Sequence, residues 1–349
     1  MIKTNRQTGF DIIRILAMLL VVCIHSNVAP LAANKGSALW YGVMAFQVLC
    51  IIAVPLFFMV SGALLLTGEK ETDVKTLYTK RIPKQAIPFV IWSVIYVLVR
   101  VVMGKIPLSI SAFTSLLHEP AYYQFWFMYT LLAIYLLLPI IQTLINHCDK
   151  KKTEYILILW AIFSVCLPVV SRFVDGFSIS NHVDLILCEG YIGYFILGYY
   201  LNKYKKDVKL STAGLMWFIG AVVTIICAVI EFRTTNKLNL NYEGFVYQAY
   251  MVPGTAVSAT GAFLFFQNYK YKLKDKATIA LASLSALSVG IYYIHMLVLT
   301  VIEYIGFKGD TSVFIYIVKT IATYFISLIG AFVISKIPFV RKILLGASK

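Results

Sequence analysis

Long apolar blocks recur along the whole of this 349-residue chain. About ten of them follow one another from residue 11 to residue 335, and short polar stretches separate them. A helix of roughly 20 apolar residues matches the ~30 Å hydrocarbon core of a bilayer. Because lipid offers backbone amides no hydrogen-bonding partner, blocks of this length must be helical. The pattern predicts an all-α integral membrane bundle of about ten transmembrane helices.

The predicted spans cover most of the chain and leave no room for a separate soluble domain. Only 13% of the residues are charged, and the mean hydropathy is +0.81, whereas a soluble domain is roughly one-quarter charged. We therefore expect residues 1–349 to form a single polytopic membrane domain. In chain order, the expected spans are 11–33, 40–67, 86–104, 122–146, 154–171, 185–202, 212–232, 244–267, 283–303 and 312–335.

Positive charges are distributed unequally between the two sets of loops that these spans define. Most of the 31 Lys and Arg residues fall on one side, which also holds both termini. Because cytoplasmic loops carry the excess of Lys and Arg, both termini are predicted to be cytoplasmic. The net charge of +15 then reflects topology, so it indicates a lipid bilayer and not a nucleic acid as partner. The expected location is the inner or plasma membrane, as a multi-pass protein.

The first span contains ionisable residues at a spacing that fixes their relative orientation. Arg14 and His25 are eleven residues apart, which at ~100° per residue returns them to one helix face with an axial offset of ~16 Å. Ionisable side chains cost a few kcal/mol inside a bilayer, so each requires a reason. One interpretation is a structural Asp11–Arg14 pair beside a buried, hydrogen-bonded His25. The other interpretation is a functional site on this face.

Further segments place polar and aromatic residues at set points of later spans and loops. They are Val54–Gly62, Lys80–Lys84, Phe125–Tyr129 with Tyr135 and Pro139, Tyr194–Tyr199, and Ser288–His295. Together with Arg14 and His25, and in this order, they resemble the membrane-bound acyltransferase 3 family over nearly the whole chain. The branch that is most similar stands alone and O-acetylates surface polysaccharides. Two positions depart from the family pattern: Lys84 replaces the second arginine of an Arg-x-x-Arg element, and Gln124 stands where many relatives have histidine.

The resemblance implies transfer of an acyl group from cytoplasmic acyl-CoA, with acetyl-CoA as the expected donor and no metal. His25 is then the catalytic base, since a neutral histidine accepts a proton near pH 7. Arg14, Arg81 and Lys84 are expected to bind the donor's phosphates. The alternative for Arg81 and Lys84 is that they only determine topology.

The acceptor implied by the resemblance is a hydroxyl of a surface glycan or lipid-linked sugar on the outer side. Glu189 and Trp126 are the candidate substrate-binding residues there. A structural salt bridge explains Glu189 equally well, and the aromatic belt of the membrane interface explains Trp126. The identity of the acceptor, the choice of acetyl over succinyl, and direct transfer against an acyl-enzyme intermediate stay open. A homo-oligomer is compatible with the sequence.

Other polar residues inside the spans have structural explanations as well. Lys319 is expected to pair with Glu303, and His295 is either a packed histidine or a functional one. The six cysteines lie in or beside apolar blocks without a metal-ligand spacing, so they are predicted to be small buried hydrophobes.

Two rival functions fit a bundle of this size. A transporter or exporter of sugar, polysaccharide or an amino acid would also place polar residues at the middle of the membrane. A non-catalytic scaffold in a glycan assembly complex would not need Arg14 and His25 on one face. Turnover of labelled acetyl-CoA by the purified protein distinguishes these alternatives.

Overall fold

Every regular element of the structure is helical within the ranges it describes. The computed structural model describes residues 7–26, 36–67, 71–173, 190–235, 249–307 and 312–346, and these contain no strand. The α-helices are α1 (Thr8–His25), α2 (Ala38–Cys50), α3 (Ala53–Leu65), α4 (Val74–Thr76), α5 (Ile82–Val102), α6 (Ile110–Thr114), α7 (Trp126–Asn146), α8 (Lys150–Trp160), α9 (Leu167–Phe173), α10 (Gly190–Tyr204), α11 (Leu210–Thr235), α12 (Pro253–Asn268), α13 (Asp275–Ile302), α14 (Val313–Lys336) and α15 (Pro338–Leu345).

Among the described residues, eight helical stretches are long and apolar enough to cross a membrane. The all-α membrane class predicted from the sequence is therefore confirmed. Two of the predicted spans correspond to α10 and α12, which have 15 and 16 residues and are shorter than the roughly 20 residues that a span needs. Each follows a segment outside the described residues. The total of about ten spans and the cytoplasmic termini stay predictions.

The second predicted span is broken into two helices near its middle. Helix α2 ends at Cys50 and α3 begins at Ala53, with Ile51 and Ile52 between them. Pro55 explains the break, because proline has no amide hydrogen to donate and its ring clashes with the carbonyl four residues earlier, here that of Ile51. Periodicity alone could not place this break within a continuous apolar run.

Helix α1 lies inside the bundle and packs against α3, α12 and α13. Its apolar residues Ile13, Ala17, Met18 and Val22 are fully buried. Enclosure by other helices explains how a helix with several ionisable residues is accommodated, since such residues are placed against protein and not against lipid.

Helices α3 and α10 cross at very short distance because both have glycine at the crossing. A methyl group on Gly62 would overlap the Phe195 carbonyl, and one on Gly198 would overlap the Met59 carbonyl. Small residues let helix backbones approach closely in membranes, where packing drives association. The glycines of the Ser61-Gly62 and Leu197-Gly198 pairs found in the sequence therefore serve the packing of the bundle.

The predicted pair between Lys319 and Glu303 is confirmed. The Lys319 Nζ lies 3.3 Å from Glu303 Oε1, and the lysine side chain is only 6% exposed. Glu303 begins the π-helical turn after α13, and Lys319 lies on α14. The pair neutralises a lysine that would otherwise be buried with its charge unpaired.

Replacing Gly198 with alanine tests the close crossing. Gly198→Ala should destabilise the folded protein by about 1–3 kcal/mol, because the new methyl group forces two backbones apart. Gly42→Ala is the matched control: nothing lies near its Cβ position, so replacing this helical glycine should stabilise the protein by about 0.5–1 kcal/mol. Thermal unfolding in detergent measures both. A Gly198→Ala protein as stable as the control would contradict the close crossing.

Thiol accessibility tests the predicted orientation. Asp207 lies after α10 and Lys105 lies after α5, and both are exposed. In a variant without the six native cysteines, Asp207→Cys should resist an impermeant thiol reagent in intact cells, because its loop is predicted to be cytoplasmic. Lys105→Cys should react, because its loop is predicted to be external. The opposite labelling pattern would reverse the assignment of the two membrane sides.

Candidate functional site

A cavity of about 260 Å³ lies within the bundle beside α1. Residues of α1, α3, α7 and α13 line it, together with Gln85 of α5 and Tyr250. Three residues proposed from the sequence are among its lining residues: Arg14, His25 and Trp126. The predicted base, one predicted phosphate-binding cation and the predicted aromatic substrate-binding residue thus line the same cavity.

Arg14 and His25 both line this cavity from α1. A spacing of eleven residues in an α-helix with ~100° per residue predicts that the two side chains share a face. In the structure, they lie on one continuous α-helix and do so. The same helix geometry separates the two positions by ~16 Å along the axis. The cavity therefore has a histidine toward one end and a guanidinium toward the other.

His25 is held by two rings from other helical segments. His25 Nδ1 lies 2.8 Å from His295 Nε2, and the two imidazole rings are nearly parallel, with centroids 5.1 Å apart. The edge of Tyr123 meets the His25 ring at 5.2 Å between centroids. The second histidine comes from α13, in the segment Ser288–His295 that contributed to the family resemblance.

Arg81 lies near the arginine end of the cavity. The guanidinium groups of Arg14 and Arg81 both act electrostatically on the hydroxyl of Tyr135, which lines the cavity. Arg81 ends the π-helical turn Leu77–Arg81 and directly precedes α5. Arg14 and Arg81, which are 67 positions apart in sequence, are therefore both within electrostatic range of the same hydroxyl group.

The turn that leads to Arg81 is fixed by a cap. The Asp73 carboxylate accepts hydrogen bonds from the Lys75 and Thr76 amides and from the Thr76 hydroxyl, at 2.8–3.0 Å. The Thr76 hydroxyl is the main cause that holds the pKa of Asp73 below its usual range, and the two amides add to it. A carboxylate at this position also favours the start of a helix.

Lys84 and Glu189 are placed differently from the other predicted site residues. Lys84 is exposed on α5 and is not among the described residues that line the cavity. Its backbone carbonyl is instead covered by Gly346 at the end of α15, where a Cβ would have no room and φ is +63°. Glu189 lies outside the described residues.

Three cavity residues that the sequence did not single out as ligands have buried polar atoms. Gln124, Ser285 and Ser288 are 2%, 3% and 4% exposed. Within the described part of the chain, neither amide atom of Gln124 and neither serine Oγ makes a hydrogen bond of acceptable geometry, although the Gln124 side chain lies close enough to the Tyr96 hydroxyl to interact with it. Buried polar groups are normally satisfied, so such a group beside a cavity indicates a partner that enters from the cavity. Gln124 was visible in the sequence only as a departure from the family's histidine.

Aromatic rings form another part of the cavity wall. The ring centroid of Trp126 lies 5.7 Å from that of Tyr250 and 5.2 Å from that of Tyr191. The Tyr194 hydroxyl donates a hydrogen bond of 2.5 Å to the Tyr250 carbonyl, which fixes the backbone there. Tyr250 follows a segment outside the described residues, and no sequence signal marked it.

The fold and the cavity together define a multi-pass membrane protein with a polar site enclosed among its helices. Comparison with known families assigns the class more narrowly. A family model described as an acyltransferase domain matches residues 7–336, which is nearly the whole chain. The chain therefore belongs to the acyltransferase 3 family, as the sequence motifs indicated. No curated protein and no solved structure matches it.

Proposed function

We propose that this protein transfers an acyl group, acetyl in the simplest case, from cytoplasmic acyl-CoA to a sugar hydroxyl. The acceptor is a surface glycan or a lipid-linked sugar on the outer side of the membrane. Membership of an acyltransferase family supports the reaction class. The observation that carries the proposal is that His25 and Arg14 line the same cavity, one toward each end.

The reaction requires a base where the acceptor meets the thioester. In direct transfer, His25 takes the proton of the acceptor hydroxyl while its oxygen attacks the thioester carbonyl carbon. The carbon–sulfur bond then breaks, and the CoA thiolate leaves and takes up the proton from His25. The products are an ester and free CoA thiol, and no other reactant is needed. General-base catalysis of this kind contributes about 10²–10⁴-fold.

The donor's phosphates are assigned to the arginine end. CoA has a pyrophosphate and a 3′-phosphate, and planar guanidinium groups can bind phosphate oxygens in pairs. Arg14 and Arg81, which both act on the Tyr135 hydroxyl, are the proposed ligands. Lys84 is exposed, so its proposed role is that of a more distant positive charge at the cytoplasmic mouth.

The volume of the cavity restricts which parts of the substrates it holds. About 260 Å³ is slightly below the ~300–1,000 Å³ that is typical of small-molecule sites. It accommodates an acyl-thioester end with part of an acceptor, and it is too small for the whole donor. The nucleotide of CoA therefore stays at the mouth, and the pantetheine arm covers the ~16 Å between the arginine and histidine levels of α1.

The acceptor side is assigned to the aromatic wall and the unsatisfied polar groups. Trp126 offers a ring face for an apolar sugar surface, as aromatic residues commonly do at binding sites. The amide of Gln124 and the hydroxyl of Ser288 can hydrogen-bond sugar hydroxyls or the thioester carbonyl. Glu189, proposed from the sequence as an acceptor ligand, remains a candidate for binding further hydroxyls.

Donor binding should depend more on Arg81 than on Lys84. Arg81→Ala should weaken acetyl-CoA binding about tenfold or more, because a charge-assisted contact worth ~1.5–3 kcal/mol is lost. Lys84→Ala should change it less, since that side chain is exposed and a lysine binds phosphate only as a point charge. Titration of purified protein with acetyl-CoA measures both. If a variant with both Arg81→Ala and Lys84→Ala binds acetyl-CoA as the wild type does, the two residues only determine topology.

Removal of His25 tests the function itself. His25→Ala should abolish transfer of a radiolabelled acetyl group while acetyl-CoA binding persists, because a base acts mainly in the transition state. His118→Ala is the control, since that histidine is exposed between α6 and α7. Protein yield and thermal stability are measured beside activity. A well-folded His25→Ala protein with wild-type transfer would refute the catalytic assignment and favour a transporter.

A further inference from the structure

His295 is a buried histidine with a defined partner at each ring nitrogen. It is 0% exposed and lies on α13, where its Nδ1 is 3.0 Å from the Ile291 carbonyl oxygen one turn earlier. Its Nε2 is 2.8 Å from His25 Nδ1. The two histidines are 270 positions apart in sequence, and together they join the first helix to α13.

The partners determine where the protons lie. A carbonyl oxygen can only accept, so His295 Nδ1 must carry a hydrogen and donate it to Ile291. A neutral imidazole has one N–H, which leaves His295 Nε2 as an acceptor. His25 Nδ1 must then be the donor of the bond between the rings. The remaining nitrogen of His25, Nε2, is consequently the one with a lone pair that can take a proton.

We infer that His295 is a positioning residue that sets the tautomer and ring orientation of His25 and thereby makes His25 Nε2 the basic nitrogen. This inference rests on the proposed function, in which His25 removes the acceptor's proton. His295 does not itself touch the reacting atoms. Without it, His25 could hold its proton on Nε2 and lose its lone pair on the side where the base is needed.

The packing around His25 supports a fixed ring. The two imidazoles are nearly parallel, with 12° between their planes, while Tyr123 meets His25 edge-on at 83°. The Tyr123 hydroxyl lies 3.3 Å from the Met296 sulfur, which follows His295 on α13. The same helix therefore provides the hydrogen-bond acceptor and anchors the ring that packs against His25. Rotation of His25 would break both contacts.

Because His295 is a neutral hydrogen-bond acceptor for His25, it has a specific effect on the reaction. As His25 takes the acceptor's proton it becomes an imidazolium, and the bond from its Nδ1 to His295 Nε2 becomes charge-assisted and stronger. An interaction that strengthens in the transition state raises kcat and leaves ground-state binding of the donor unchanged. Loss of His295 should therefore appear in kcat and not in the KM for acyl-CoA.

Two substitutions separate positioning from packing. In His295→Phe an aromatic ring is retained, and the hydrogen-bond acceptor for His25 is lost. The kcat should therefore fall about 10–100-fold, as is common when a residue that orients a functional histidine is removed. In His295→Gln the terminal amide oxygen can replace Nε2 as an acceptor, so most of the rate should return. Radiolabelled acetyl-CoA with an alkyl glucoside as hydroxyl probe measures kcat and KM in both.

A matched control comes from His147. Like His295, it has its Nδ1 close to the carbonyl oxygen of the residue four positions earlier, here Thr143 at 2.8 Å. Unlike His295, its side chain is exposed. His147→Gln should leave both kinetic parameters unchanged. Wild-type kcat in His295→Phe, or equal loss in His295→Phe and His295→Gln with a raised KM, would overturn the positioning role. If His25→Ala is inactive while either of these results is obtained, the positioning role of His295 is wrong and the proposed function still holds.

A spectroscopic measurement covers the case in which His295→Phe does not fold. Full-length protein labelled at the histidine ring nitrogens, with His118, His147 and His182 replaced, reports the tautomer of His25 by NMR. We expect a protonated Nδ1 and an unprotonated Nε2 in the neutral wild-type protein. A proton on Nε2 of neutral His25 would overturn the inference, whatever the activity of the variants.

Discussion

Arg14 and His25 cannot face lipid without a cost of several kcal/mol, so α1 has to be enclosed by other helices. The fold meets this requirement with α3, α12 and α13 packed around it. Close packing in turn depends on small residues. At the crossing of α3 and α10, a methyl group on Gly62 or on Gly198 would overlap a backbone carbonyl of the other helix. The cavity exists because the enclosure is tight on one side of α1 and open along the Arg14–His25 face.

Much of the fold follows from the apolar blocks, because the length of a span is set by bilayer thickness and needs no knowledge of tertiary contacts. The shared face of Arg14 and His25 followed from helix geometry alone. The break between α2 and α3 did not, since Cys50 to Ala53 are all apolar and only Pro55 hints at it. The pairing of Lys319 with Glu303 was predictable from their depth in neighbouring spans.

Residue spacing predicted the candidate site only where one helix presents its residues together, as α1 does, and Trp126 was assigned through the family resemblance. Residues from distant helices, such as Gln124, Ser285 and Tyr250, reach the cavity through tertiary packing that no local spacing encodes. Arg81 and Arg14 both act electrostatically on Tyr135, whereas Lys84 is exposed. They are three positions apart, and in a helix that spacing does not guarantee a common partner once one side is covered by α15.

The contact between His25 and His295 also imposes an order on biosynthesis. The two residues are separated by 270 positions, and ribosomes add roughly 5–20 residues per second. The first helix therefore enters the membrane some tens of seconds before the helix that completes its hydrogen bonding. During that interval its polar face needs shelter from lipid, which the insertion machinery or the helices that insert between α1 and α13 must provide. A nascent chain that stops before α13 contains every residue of the first helix and still has no oriented histidine.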